Sequence, residues 1–320
     1  MYNEEIKKRY IQTTTRSKDT MKMYEFLFRA TEPFEQEKDA DICTMSTEEA
    51  QIIVDKFSAL RKYSTEKYIQ LLSSYSKWCI NNGVPNAAND IKNVKVSGLE
   101  AVRKGMVFSP YHLQLYLDSV FDDESLETYD NCLRCCYWLA FAGCFEEGIF
   151  KIKASDVDLN KMTISVEKEG GCMIVKIPPE GLQAIRNCAT LTQFRYQHSN
   201  YKEDIFRNRV AGDQLIRGVK EEALPTTVLT NISRKVSKAI KAGKTDSKIF
   251  LSRVWLSGHF YRKHSQEISG MDYDFEDMAM AYLLKKKNEC NEWPPPHKRI
   301  EKIAEKYEDD YLRWKLAFLK

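Results

Sequence analysis

One stretch of this sequence, residues 162–177, has a β-hairpin pattern, whereas helical patterns dominate the rest. Residues 162–166 and 172–177 are rich in β-branched and apolar side chains, and the glycine-containing residues 167–171 between them supply a turn. Two prolines at 178–179 end the second run and open a helix, and we expect the remainder to be helical. The chain is therefore predicted to be mainly α with a small antiparallel β-sheet, an α+β fold.

Short amphipathic helices are predicted over the first 95 residues. Ser46 and Glu49 have the spacing of a capping box before a helix that runs through Leu60. Ser64 opens the next helix, which residues 81–83 stop. A polar stretch follows, and then a helix begins with proline in its first turn, at residues 109–112. We predict a helical domain over residues 1–95, a linker over 96–106 and a second domain over 107–320.

The nine cysteines fit a reducing compartment. Cys132, Cys135 and Cys136 lie beside or within the apolar run 133–142, which predicts a buried helix with core thiols. A Cys-x-x-Cys spacing also suits zinc, but neither a second cysteine pair nor a spaced histidine pair completes such a site. No apolar run reaches the ~18–20 residues of a membrane span, and the N-terminus lacks a signal-peptide core. We expect a cytoplasmic protein without a cofactor, a metal or a membrane partner.

The net charge of +3 conceals an uneven distribution. Residues 31–55 carry eight acidic side chains and one lysine, whereas residues 230–265 carry nine Lys or Arg and a single acid, Asp246. Such a concentration of positive charge is consistent with a face that binds a polyanion. Charge alone leaves an ordinary solvated helix face equally open.

Residues 143–158 resemble the first catalytic motif of the tyrosine recombinase (phage integrase) family, which reads roughly Gly-Leu-Arg-x-x-Glu-Leu-x-x-Leu-x-x-x-Asp-Ile-Asp. The two sequences align without a gap, and residues 156–158, Asp-Val-Asp, fall on the final Asp-Ile-Asp. Phe145 falls where the family has its first catalytic arginine, and Gly148 falls on the glutamate. The resemblance therefore implies a recombinase-type domain without its first phosphate-binding arginine.

The second catalytic arginine of the family lies in a His-x-x-Arg-His-Thr motif, for which two registers are open. In the favoured register, Ser252 replaces the histidine and Trp255 replaces the arginine. In the other, His259 and Arg262 satisfy His-x-x-Arg literally. We favour the first because residues 257–262 resemble a Ser-Gly-x-Phe-Tyr-Arg tail seen downstream in Gram-positive phage relatives. That register implies that both arginines are lost.

Two further roles from the family are open in this chain. Lys168 falls on the hairpin lysine that acts as general acid, although an ordinary turn lysine is the alternative. Tyr282, Tyr307 and Tyr311 compete for the nucleophile position, and each lies on an amphipathic helix where a buried aromatic is the simpler interpretation. The family's Leu-Gly-His-Ser segment has no counterpart before Tyr282.

The loss of catalytic residues should affect the rate of DNA cleavage far more than the affinity for DNA. Losing one preorganised donor costs on the order of 10²–10³ in rate, so losing two arginines and a histidine predicts no useful strand cleavage. Affinity for DNA is spread over many phosphate contacts instead. The resemblance thus implies a helical core-binding (SAM-like) domain followed by a catalytic-type domain that is not an enzyme. We expect a sequence-specific repressor of prophage lytic genes, with an active recombinase and a protein-interaction module without DNA binding as alternatives.

The expected partners are double-stranded operator DNA, a second copy of the chain and a regulatory protein. The last helix, residues 298–318, has an apolar face that in the family docks onto a neighbouring subunit, and packing within its own chain is the alternative. Most DNA contacts are expected to be with phosphates. The candidates are Arg16, Lys18, Lys22, Lys62, Ser64, Lys67, Lys168, Arg234, Lys235, Arg253, Arg262 and Lys263.

Overall fold

A computed structural model describes residues 1–14, 17–57, 62–95, 99–121, 128–168, 171–196, 205–218, 225–271, 274–285 and 293–319. The chain is predominantly helical with two small antiparallel sheets, so the predicted fold class is confirmed. It divides into two compact units, one of Met1–Arg103 with Leu312–Lys320 and one of Lys104–Tyr311. Among the described helices, none combines the length and the apolar character needed to cross a membrane.

Helices form the first unit. They are α1 (Glu4–Thr14), α2 (Lys18–Lys38), α3 (Thr47–Phe57), α4 (Lys62–Asn81), a 3-10 turn at Asp90–Asn93 and the start of α5 (Leu99–Gly105). The predicted capping box is present, because the Glu49 amide donates to Ser46 Oγ at 3.3 Å and the Ser46 amide donates to the Glu49 carboxylate at 3.1 Å. The helix predicted to open at Ser64 begins two residues earlier, at Lys62.

A buried ion pair lies in the core of this unit. Lys7 and Glu35 are both fully buried, and Lys7 Nζ donates to the two carboxylate oxygens of Glu35 at 2.6 and 2.5 Å. The Thr31 hydroxyl and the Ile42 amide also donate to this carboxylate, both at 2.9 Å. Burial raises the pKa of Glu35, and the Lys7 charge opposes that rise. The pair is therefore held in one geometry by a satisfied hydrogen-bond network.

Among its described residues, the second unit combines nine α-helices, two of them only in part, with 3-10 turns at Ala154–Asp156 and Pro179–Gly181 and with two sheets. The helices are the end of α5, α6 (Pro110–Val120), α7 (Asp130–Ala142), α8 (Glu146–Ile149), α9 (Leu182–Thr190), α10 (Pro225–Lys241), α11 (Leu251–Ile268), α12 (Glu276–Lys285) and α13 (His297–Phe318). The predicted proline-led helix is α6, where Ser109 Oγ accepts from the His112 amide. The last residues of α13 belong to the first unit.

The predicted hairpin is confirmed, but the sequence prediction of helix beyond it is incomplete. β2 (Thr163–Lys168) pairs with β3 (Gly171–Lys176), and β1 (Val157–Asp158) extends the sheet on the β2 side. A second sheet, β4 (Gln193–Tyr196) with β5 (Ile205–Asn208), replaces the helix expected there. These strands are four residues each, too short for alternation to be recognised, and their stability comes from cross-strand pairing.

Helix α7 is the centre of the second unit. Every residue from Asn131 to Ala142 is buried, so the predictions of a buried helix and of core thiols in it are confirmed. Helix α11 packs closely on α7: a Cβ added at Gly258 would lie 1.9 Å from the Phe141 carbonyl oxygen. Only glycine permits this backbone approach. The contact fixes the positions of the residues at the C-terminal end of α7.

Candidate functional site

Phe145 and Trp255, the two residues at the arginine positions of the favoured alignment, are in contact. The second turn of α11 directs Trp255 towards the chain that leaves α7, where its indole Nε1 donates to the Gly143 carbonyl oxygen at 3.1 Å. The ring centroids of Phe145 and Trp255 are 4.8 Å apart, with the rings edge to face at 80°. Such pairs are stabilised beyond the burial of their surface. Residues far apart in sequence thus form one aromatic pair.

Two more rings complete what we call the aromatic cluster, defined as Phe145, Trp255, His259 and Tyr307. The His259 ring lies 4.6 Å from Trp255, and the Tyr307 ring lies 6.5 Å from it. Trp255 is 5% exposed and Tyr307 is 6% exposed. Burial, and then the nearby Arg262 charge, hold the pKa of His259 well below its usual value. The imidazole is therefore neutral, and the cluster consists of uncharged rings.

Arg262, the arginine of the literal His-x-x-Arg register, lies at the end of α7. Its Nη1 donates to the Phe141 carbonyl oxygen at 2.8 Å. Its guanidinium also lies against Gly143, where an added Cβ would be 3.0 Å from Nη2. Gly143 has φ +116°, the left-handed conformation that commonly ends a helix. A cation at this position complements the negative end of the α7 dipole.

Tyr307 and Tyr311 are buried, as the simpler sequence interpretation predicts, whereas Tyr282 is not fully buried. Tyr307 belongs to the aromatic cluster, and Tyr311 is fully buried with its hydroxyl donating to Glu267 Oε2 at 2.5 Å. Burial and the Glu267 carboxylate both raise the pKa of Tyr311. A raised pKa makes a phenol a weaker nucleophile near neutral pH. Tyr282 is half-buried on α12.

Some of the predicted DNA contacts of the second unit are exposed to solvent, whereas others are buried or form ion pairs within the chain. Arg234 is exposed, with its guanidinium 3.1 Å from the Asn231 side-chain oxygen. Lys235 forms an ion pair with Asp130. Lys263 is 9% exposed and lies over the Phe275 ring at 5.6 Å. Arg253 and Arg262 are half-buried, and Lys168 ends β2 with its side chain outside the described residues. Of the positions aligned with catalytic residues, Ser252 is exposed and Gly148 is half-buried in α8.

Helix α10 presents a cationic face that the sequence interpretation only partly identified. Its inner side packs Val228, Ile232, Val236 and Ala239 into the core. Residues 225–245 contain no acidic side chain. The solvent side, which we call the α10 face, consists of the exposed Thr226, Thr227, Thr230, Arg234, Lys238 and Lys241. Amphipathic spacing would have identified Lys238 and Lys241, because they follow Arg234 at helical intervals.

Helix α4 in the first unit has a similar surface. Glu66 is its single acidic residue. Its solvent side includes the exposed Lys67, Gln70, Ser74 and Lys77, which we call the α4 face, and ends at the exposed Ile80 and Asn81. Lys67 was predicted from the sequence, and the other three residues of the α4 face were missed because they lie beyond the basic window. The side chains of Lys62 and Ser64, and the whole of Arg16, lie outside the described residues.

Helix α2 packs against α4 through aromatic contacts, which include Phe28 with Tyr75 in the core, with ring centroids 4.8 Å apart. The predicted Lys18 and Lys22 are exposed on α2, as is Arg29. Phe26 lies on the same side and is 53% exposed, and its ring centroid is 6.2 Å from that of Tyr68 on α4. Asp19 and Glu25 are also exposed on α2, at helical spacing from Lys22. The first unit thus carries cations, amides and hydroxyls on two neighbouring helices.

The chain is similar to several solved structures at low sequence identity. Among solved structures, the chain is similar to the XerA recombinase (14% identity, 83% of this chain and 85% of that chain, TM-score 0.34). It is also similar to a lambda integrase dimer bound to a COC' core site (15%, 92% and 79%, 0.34) and to the Tn1549 transposon integrase in complex with circular intermediate DNA (13%, 82% and 86%, 0.34). Likenesses at this level do not establish a shared activity.

No curated protein matches the chain significantly. Residues 1–81 match the family model described as "MrpR, N-terminal core-binding domain". The match covers the part of the chain that contains α1 to α4. The sequence prediction of a helical core-binding domain at the N-terminus is therefore confirmed, and this segment is similar to the core-binding domain of MrpR.

Proposed function

We propose that this chain is a sequence-specific double-stranded DNA-binding protein with a tyrosine recombinase fold that no longer cleaves DNA. On this proposal it acts in the bacterial cytoplasm as a transcriptional repressor that maintains prophage lysogeny, like the master repressor of SPbeta-type Bacillus prophages, which it resembles. The observation that carries the proposal is the contact between Phe145 and Trp255 at the two arginine positions.

The aromatic pair argues against strand cleavage. Transfer of a phosphodiester to tyrosine develops negative charge on the phosphate, and bidentate guanidinium donors are the side chains best suited to stabilise it. Phenylalanine offers no donor, and the Trp255 indole donor is already engaged by the Gly143 carbonyl. Arg262 does not replace them, because its Nη1 donates to the end of α7. Both tyrosines of α13 are buried as well.

The α4 and α10 faces support DNA binding. Each combines lysine or arginine with hydroxyl or amide side chains, and the solvent side of each helix lacks an exposed acid among its described residues. Cations that contact phosphates release counterions, which supplies most of the non-specific affinity for DNA. Amide and hydroxyl groups provide contacts to base edges as well as to phosphates. These two faces therefore have the composition of a duplex-binding surface.

We further propose that the protein self-associates through α13. Tyr307, Tyr311 and Trp314 are buried in their own chain, but Leu312, Leu316 and Leu319 are 49%, 43% and 41% exposed. Their spacing places these leucines on one side of the helix end. Replacing Leu312 and Leu316 with glutamate should lower the sedimentation coefficient if a second copy covers them, and an unchanged value would exclude this dimer.

A regulatory protein that releases repression is also proposed, without an assigned surface.

Two experiments test the proposed function. The first maps the DNA bound in the host and measures affinity for the enriched site against random duplex, where a repressor should prefer its site by at least about 10³-fold. The second offers a suicide substrate containing that site, and no covalent protein–DNA adduct should form. An adduct abolished by replacing Tyr282, Tyr307 or Tyr311 with phenylalanine would establish an active recombinase. Failure to bind any duplex would instead support a protein-interaction module.

A further inference from the structure

Phe26 is an exposed aromatic residue on a surface that otherwise carries polar and charged side chains. It is 53% exposed, although the opposite side of α2 buries Tyr24, Leu27 and Phe28 in the core. Phenylalanine has no polar atom that water could satisfy, so the exposed ring is available for apolar contact with a partner. The other side chains on that side of α2 include Lys22 and Arg29, at helical spacing before and after it.

The Phe26 ring is held in place by α4. Its centroid lies 6.2 Å from that of Tyr68, with the rings tilted by 54°. Tyr68 directly follows Lys67, so Phe26 lies where the solvent side of α2 meets the α4 face. A phenylalanine has two side-chain torsions, and this contact restricts them before any partner binds. Little conformational entropy is then lost when the ring is buried against a partner.

The surroundings of Phe26 determine which partner fits. The cations Lys18, Lys22 and Arg29 on α2 and the lysines of the α4 face outnumber the acids Asp19 and Glu25, which are exposed on the same part of α2. This balance favours a polyanion over an apolar protein surface. Duplex DNA has one exposed apolar group in its major groove, the C5 methyl of thymine, and phenylalanine is among the side chains that contact it. An α-helix also fits the width of this groove. A phosphate-only contact would leave the ring exposed to water.

We propose that Phe26 is a specificity-determining residue that reads the C5 methyl group of a thymine in the major groove of the bound site, with Tyr68 as the residue that positions its ring. This inference rests on the proposed DNA-binding function and adds one base to it. The flanking cations position the helix on phosphates, whereas the ring distinguishes thymine from bases without the methyl.

The test uses the full chain and the site found by mapping, with each thymine replaced in turn by deoxyuridine, which lacks only the methyl. At one or two positions the replacement should weaken binding by the wild-type protein by about fourfold, the factor for one buried methyl group. The same replacement should not change the affinity of the Phe26→Ala variant for the site. Phe26→Leu, which keeps an apolar group, should retain part of the discrimination. Affinity for random duplex and its salt dependence should be unchanged in both variants.

A matched control is Ile52→Ala on α3, because Ile52 is 52% exposed and lies on a helix whose first turn is acidic. This variant should keep the full deoxyuridine penalty. Thermal unfolding of all variants checks that the first unit remains folded. A penalty that persists in Phe26→Ala overturns this inference and leaves the proposed function standing. Wild-type protein that prefers no site over random duplex overturns both.

Discussion

Replacing Gly258 with alanine tests the close approach of α11 to α7, which the aromatic cluster depends on. The added Cβ would lie 1.9 Å from the Phe141 carbonyl oxygen, 2.8 Å from its carbonyl carbon and 3.0 Å from its Cα. All three atoms belong to the backbone of a buried helix, so no side chain can rotate to make room. The two helices must separate by about 1 Å to relieve the overlap, against interior packing that leaves few voids.

The expected loss of stability follows from what that separation strains. Overpacking of a core typically costs about 1–3 kcal/mol. The hydrogen bond from Arg262 to the Phe141 carbonyl joins the same two helices at 2.8 Å, and a charged hydrogen bond contributes about 1.5–3 kcal/mol. Alanine recovers about 1 kcal/mol through its better helix propensity. We therefore expect Gly258→Ala to lower the free energy of unfolding by about 1.5–5 kcal/mol.

Urea unfolding followed by tryptophan fluorescence would measure this loss, with Trp255 as one of the reporters. The matched control is Gly148→Ala, because no atom lies within 4 Å of a Cβ added at Gly148. It should change stability by no more than about 1 kcal/mol. Near-ultraviolet circular dichroism should also change in Gly258→Ala and not in the control, since Trp255 packs against Phe145. Equal stabilities for the two variants would refute the reasoning.

Four other substitutions test the core of the first unit, helix α10 and helix α13. Lys7→Met leaves the Glu35 carboxylate buried alone and should cost about 3–5 kcal/mol at neutral pH. Burial raises the pKa of Glu35, and without the opposing Lys7 charge it should rise further. The loss of stability should therefore shrink as pH falls and the carboxylate is protonated. A loss that did not shrink would contradict the ion pair. Lys238→Ala should reduce the slope of log affinity against log salt by about 0.9, whereas Lys235→Ala should affect stability more than this slope. Tyr311→Phe should lower stability by about 1–2 kcal/mol without changing DNA affinity.

Local chemistry made part of this fold predictable. The Ser46–Glu49 capping box and the hairpin at residues 162–177 depend on residues close in sequence, and both are present. The sheet of β4 and β5 was missed because each strand has four residues and is stabilised by its partner. Whether a lysine is free for DNA was also beyond the sequence, since the ion pair of Lys235 with Asp130 forms only in the folded chain.

In the candidate site too, the sequence identified the positions, whereas only the folded structure shows their contacts. The resemblance alone identified Phe145 and Trp255 as a matched pair of positions, because nothing in local periodicity relates them. Their contact at 4.8 Å depends on the approach of two helices, which Gly258 permits. The burial of Lys263 over Phe275 is likewise a tertiary effect. The exposure of Phe26 was not predicted, because an apolar residue in an amphipathic helix is ordinarily assigned to the core.

On the proposed function, the aromatic residues at the two arginine positions are explained together by their contact with each other. Two aromatic residues stabilise each other through an edge-to-face contact and add no charge to the pocket. The neutral His259 and the buried Tyr307 extend that contact. On the proposed function, the pocket thus contributes to the stability of the second unit, while the α4 and α10 faces hold DNA through charges that the pocket does not need.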